Sequence, residues 1–135
     1  EHQNINDTCI SKLVKLTKLV CCNCQNITDR SVMNLRCLTK LNCRMCQSIT
    51  DASICSLKEL TTLKCGYCDN ISDVSIKELR CLLNIHCDGC KNITNISIRE
   101  LRNLRHIVCN SSDNINDVII AELKYLRRLN FVIIQ

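Results

Sequence analysis

Apolar positions recur along this chain with a period of 22 residues. The stretch from Cys24 to Cys46 returns from Cys46 to Cys68, from Cys68 to Cys90 and, more loosely, from Cys90 to Ser112. One column reads Ile5, Ile27, Ile49, Ile71, Ile93, Ile115; a second reads Ile10, Val32, Ile54, Ile76, Ile98, Ile120. Three further columns, headed by Leu13, Leu16 and Leu19, are almost pure leucine, and two are cysteine, headed by Cys21 and Cys24. A fixed period of this size marks a solenoid. One turn cannot bury such a face alone, whereas stacked turns bury it as one continuous core.

Within each turn the polarity alternates. Leu41 and Cys43 are apolar, between the polar residues Lys40, Asn42 and Arg44. A period of two predicts a short strand, with centres at Leu19–Cys21, Leu41–Cys43, Leu63–Cys65, Ile85–Cys87, Ile107–Cys109 and Leu129–Phe131. Thr28-Asp29 and its equivalents Thr50-Asp51, Ser72-Asp73, Thr94-Asn95 and Asn116-Asp117 are helix N-cap types. Val32, Leu35 and Leu38 then recur every three residues, which suits an α or 3₁₀ segment of at most about two turns. Lys58-Glu59, Lys77-Glu78 and Arg99-Glu100 read as its solvated outer face. The predicted fold is an α/β solenoid: a curved parallel β-sheet on the concave face and short α or 3₁₀ helices on the convex face. It forms a single domain over 1–135, with a partial repeat at 1–15, repeats starting at 16, 38, 60, 82 and 104, and a truncated repeat from 126.

Leu38 to Cys46 fits the pattern L-x-x-L-x-L-x-x-N/C, with Cys43 in the third leucine slot, and Cys46 to Asp51 fits C-x-x-I-T-D. Over essentially its whole length the chain resembles the leucine-rich repeat proteins, in their cysteine-containing subfamily. The usual repeat of that subfamily is about four residues longer in its helical part, so the convex segment here is expected to be about one turn short. The resemblance implies a protein-binding role. In such proteins this is often the substrate-recognition part of an F-box type ubiquitin ligase, although no F-box lies within these residues.

Composition narrows the choice. The chain has 135 residues, a net charge of +5, 14 Cys, 2 Gly and no Pro. Its turns therefore rely on Asn, Asp and Ser, and a glycine-rich phosphate loop is excluded. No apolar run approaches the length of a membrane span. No block of five like charges suggests a nucleic-acid tail. No signal peptide is visible, and the chain begins mid-repeat at Glu1 without Met, as an excerpt of a longer protein would. Many unpaired thiols imply a reducing compartment, cytoplasmic or nuclear.

The CxxC pairs, such as Cys43/Cys46 and Cys65/Cys68, match a zinc or redox spacing. Their columns, however, continue as Phe131 and as Ser112 and Ile134, which core positions accept and metal sites do not. Buried free Cys behaves as a small hydrophobe. No metal, cofactor or catalytic set is assigned: His2, His86 and His106 have no fixed Asp or Ser partner. The Asn-Ile-Thr/Ser sequons follow from the repeat and are read as turn residues.

Columns that vary between turns are free for function. The outward strand positions vary: Lys18, Lys40 and His106 lie in one column, Asn42, Lys64 and His86 in the next, Arg44 and Asp88 in the third, Met45 and Tyr67 in the fourth. With Arg105 and Arg128 they make a basic strip whose apolar anchors are Met45 and Tyr67. A protein partner of mildly acidic character is expected on this concave face, with no nucleic acid and no membrane. Neither end carries a polar capping repeat, so self-association through the solenoid ends is expected.

Overall fold

The computed structural model describes residues 5–126. Five strands, β1 (Lys18–Val20), β2 (Lys40–Asn42), β3 (Thr62–Lys64), β4 (Asn84–His86) and β5 (His106–Val108), form one open parallel sheet in sequence order. They pair with a register of 22: Leu19 faces Leu41, Leu41 faces Leu63, Leu63 faces Ile85 and Ile85 faces Ile107. The strands start one residue earlier than the alternation predicts. The first cysteine column continues the ladder beyond them, as Cys21 N–H donates to Asn42 O at 2.8 Å and Cys43 N–H to Lys64 O at 2.9 Å. The last predicted strand, Leu129–Phe131, lies outside the described residues.

Six helices alternate with the strands among the described residues, the first ahead of β1 and the last after β5: α1 (Asp7–Ile10), α2 (Asp29–Val32), α3 (Asp51–Ile54), α4 (Asp73–Ile76), α5 (Asn95–Glu100) and α6 (Asp117–Leu126). The first four are single turns, as the shortened repeat requires, whereas α6, with 10 residues, is longer than the expected two turns. Asn6 caps α1, and Thr28, Thr50, Ser72 and Thr94 cap α2 to α5, each side-chain oxygen accepting the N–H two residues on. That bond satisfies a donor which the helix cannot.

The core is one continuous cluster of the periodic columns. Leu57, Leu60, Leu63, Ile71 and Ile76 have no exposed surface. Each such side chain contributes ~1.5–3 kcal/mol by leaving water. The first turn departs from the periodic expectation: Ile5, Leu13 and Val14 are exposed and Leu16 is only partly buried. No earlier turn among the described residues stacks on them.

Turns are also joined by a carboxylate ladder. Asp7 accepts from Thr28 N–H at 2.8 Å, Thr28 Oγ1 at 2.6 Å and Ser31 Oγ at 2.6 Å. Asp29 binds Thr50, Asp51 binds Ser72 and Ser75, and Asp73 binds Thr94 in the same way. Ser31 and Ser75 of this ladder are fully buried. Among the described residues every buried side-chain N or O atom has a partner.

Candidate partner-binding face

The residue after each strand loop bends the chain back. Asn23, Met45, Tyr67, Gly89 and Ser111 form one column, all with positive φ between 55° and 65°. This left-handed conformation is cheap for Gly and costs other residues about 1–2 kcal/mol. It persists because the next turn over-determines it: Met45 N–H donates to Gly66 O at 3.0 Å and Tyr67 N–H to Asp88 O at 2.8 Å. Gln47 Nε2 donates to Tyr67 O at 2.7 Å. Met45 and Tyr67 are thereby presented outward, 48% and 43% exposed.

Two glycines shape the surface around them. A Cβ at position 89 would stand 2.6 Å from two ring carbons of Tyr67. At position 66 a Cβ would meet Asp88 O at 3.3 Å and Arg44 Cγ and Nε at 3.7 Å. The Arg44 guanidinium carbon lies 5.3 Å from the Tyr67 ring centroid, a cation–π contact worth about 0.5–1 kcal/mol at an exposed site. Arg44, Tyr67 and Met45 thus gather at the loop edge of the sheet. Gly66 and Gly89 were not singled out by sequence reasoning, although the presence of Asn23 and Gly89 in this column signals a left-handed position.

The lysines form a second group. Lys18 and Lys40 are register partners on β1 and β2, and Lys64 pairs with Asn42 across β2 and β3. They line a shallow depression of about 280 Å³ with Thr62, Asn42 and Val20. The outward positions of the five strands carry no acidic residue at all. Asp88, expected to oppose this charge, is half-buried, and its Oδ1 accepts Asn110 N–H at 2.8 Å. Burial and the Lys64 ammonium hold the His86 imidazole below its ordinary pKa, with Asp88 offsetting part of the shift. His106 is exposed on β5, opposite Asn84 rather than His86. Arg105 is exposed just ahead of that strand, and Arg128 lies outside the described residues.

The cysteines take two roles. The first column fills the core behind the sheet, where the partner thiol of the next turn and burial push Cys43 and Cys65 well above the ordinary thiol range. The second column bonds backward: Cys46 Sγ donates to Cys21 O at 2.8 Å, Cys68 Sγ to Cys43 O at 3.1 Å and Cys90 Sγ to Cys65 O at 3.0 Å. All fourteen are free thiols. Among the described residues no three His, Cys, Asp or Glu side chains converge where a metal could be held.

No profile of a known protein family matches the chain, and no curated protein matches it. Solved structures do. Rad7 from yeast, in its complex with Elc1, superposes with a TM-score of 0.76 at 22% identity, over 93% of this chain and 38% of the other. An internalin, InlF from Listeria monocytogenes str. 4b F2365, superposes with a TM-score of 0.68 at 22% identity, over 94% of this chain and 36% of the other. The chain therefore spans well under half the length of either. Both similarities bear on the fold: this chain is a leucine-rich repeat solenoid. Its turns carry the cysteine-containing form of the repeat, with thiols in the third leucine slot and in the bonding slot three residues later. No helix among the described residues is long and apolar enough to cross a membrane.

Proposed function

We propose that this chain is a protein-interaction module that grips a mildly acidic partner protein with its concave face. The observation that carries this reading is the Arg44–Tyr67 pair. Its ring is half exposed, rests on Gly89 and is capped by a guanidinium 5.3 Å from its centroid, while the Tyr67 backbone is bonded to Asp88 and Gln47 of the neighbouring turns. Tyr and Arg are the side chains that most often dominate interfaces. A side chain already held in place loses little entropy on binding. The acid-free lysine depression alongside would favour carboxylates. Rad7, solved with Elc1 bound, offers an example of this fold in a protein complex. A role as the recognition part of an F-box type ubiquitin ligase rests on the resemblance alone. The free thiols favour a reducing compartment, cytoplasmic or nuclear.

Affinity capture with wild type beside Tyr67→Ala tests the reading. Loss of a specific partner in the Tyr67→Ala sample, at unchanged folding, supports it. A partner that is retained equally by both proteins sinks it.

A further inference from the structure

Charge is not spread evenly around the turn. Five positions of each repeat, running from the end of the helix to the start of the strand, hold most of the cations. In the first described turn these are Lys15 and Lys18, and in the second Arg36 and Lys40. The next three turns add Lys58, then Arg80, then Arg102 with Arg105. Against these eight the same five positions hold one acid, Glu59. All eight cations are exposed, and among the described residues only Lys58 is in an ion pair, with Glu78 at 3.3 Å. One edge of the solenoid is therefore cationic in four of its five described turns, the exception being the third, where Lys58 stands beside Glu59 and pairs with Glu78. Like charges in such a row repel one another, and an anionic partner would relieve that cost.

The strip is also narrow. Two residues before Arg80 and Arg102, on the convex side, stand Glu78 and Glu100, with Glu122 one turn further on. A wide polyanion, such as a nucleic-acid duplex or a lipid surface, would overlap these carboxylates. Nor does the strip carry a described aromatic residue on which bases of a single strand would stack. A single extended polypeptide fits between the glutamates and the concave face. Strands lie ~4.8 Å apart, so five turns span roughly 20 Å, which an extended chain crosses in about six or seven residues at ~3.3 Å each. A depression of about 340 Å³ is lined by Lys77, Arg80 and Arg102 with Glu100 and Asn103, so three cations face one acid where a carboxylate side chain would enter. At the other end Lys18 and Lys40 also line the concave depression.

We propose that this edge, from Lys15 to Arg105, is a second docking surface, which binds an extended acidic polypeptide segment of at least about six residues. It is distinct from the Arg44–Tyr67 anchor at the opposite edge of the sheet, and it stands whether or not that anchor binds a partner.

The test uses the whole chain and a fluorescein-labelled twelve-residue peptide of alternating Glu and Ser, beside an uncharged Gln/Ser peptide. Fluorescence anisotropy is read at about 50 and 300 mM NaCl, which brackets strong and weak screening. The acidic peptide is expected to bind wild type and to weaken at the higher salt. R36E/R80E/R102E is expected to lose at least about tenfold in affinity, and the milder R36Q/R80Q/R102Q a smaller fraction. Tyr67→Ala is expected to stay within about twofold of wild type. The proposal is overturned if the acidic peptide binds no better than the uncharged one, or if both arginine variants bind as wild type does. A Tyr67→Ala loss equal to that of the arginine variants would place the peptide on the concave anchor instead. Tighter binding of a duplex oligonucleotide of equal charge would identify the edge as a nucleic-acid surface.

Discussion

The ring of Tyr67 covers Gly89 so closely that a Cβ there would stand 2.6 Å from Cδ1 and Cε1. Position 89 also has a φ of +65°. Ser111, one turn on, adopts nearly the same backbone with a side chain, so the conformation itself is tolerated. The contact with the ring is what distinguishes Gly89. Gly89→Ala is expected to cost about 1–2 kcal/mol for the left-handed backbone, plus the displacement of the ring. In a Tyr67→Ala background only the first part remains. A double-mutant cycle in urea melts reads the difference. Additive costs would mean that the ring does not rest on Gly89.

The carboxylate ladder makes stability sensitive to acid. Burial works to raise the Asp7 and Asp73 carboxyls, but hydrogen bonds from Ser31 and Thr28, and from Ser97 and Thr94, outweigh it and hold both below the ordinary value. A folded pKa below the unfolded one stabilises above the unfolded pKa, about 3.9, and that stability is lost as pH falls through the folded value. Stability is expected to be flat near neutrality and to fall below about pH 4. Asp73→Asn replaces a charged acceptor of two Thr94 bonds at 2.8 and 2.6 Å. It is expected to cost about 1–3 kcal/mol at pH 7 and to flatten the acid limb of denaturant melts recorded against pH.

The repeat, the sheet register and the core columns were legible in the sequence because a period of 22 leaves no freedom in which residues stack. The ladder was not. Thr28-Asp29 and its equivalents read alike as cap types; Thr and Ser do the capping, as that reading allows, and Asp reaches the next turn. The partners lie 21 and 24 residues on, and Asp and Thr suit both roles. One signal was present. Where the column changes to Asn95, the following turn changes with it, to Asn116 and Ile119, and a single bond to Asn116 N–H at 3.2 Å remains. The concave cations were legible as outward columns. The orientation of Asp88 was not, because its bond is to a backbone N–H that no side-chain pattern reveals.

Thiol exposure sorts the cysteines by kinetics. Cys9, Cys22, Cys37 and Cys81 are exposed, whereas Cys21, Cys43, Cys46, Cys65, Cys68, Cys87 and Cys90 are buried. Burial pushes the Cys87 thiol well above its ordinary pKa, and the thiolate is the reactive form. Titration of the native protein with a disulfide reagent is expected to show four fast thiols and a slow majority that is released by guanidinium. All fourteen reacting at one rate would contradict the stacked core.

The two cysteine columns are expected to answer differently to serine. In the second column the chain already contains the substitution: Ser112 stands where Cys68 and Cys90 stand in earlier turns, and its Oγ donates to Cys87 O at 2.9 Å. Cys68 donates to Cys43 O at 3.1 Å. A hydroxyl at position 68 keeps a donor for the same carbonyl and is the stronger donor of the two. Cys68→Ser is therefore expected to change stability by less than about 1 kcal/mol. Cys65 sits in the first column, within the core cluster and near the thiols of neighbouring turns, with no exposed surface. There a hydroxyl replaces a thiol that packs as a hydrophobe, and the expected cost is about 1–3 kcal/mol. Cys65→Ala removes the sulfur without adding a polar group and is expected to cost less than Leu63→Ala, whose own cost is about 2–5 kcal/mol. Urea melts of the four variants under reducing conditions rank them. If Cys68→Ser proves as costly as Cys65→Ser, the second column is held by the packing of its sulfur and not by its bond to the turn before.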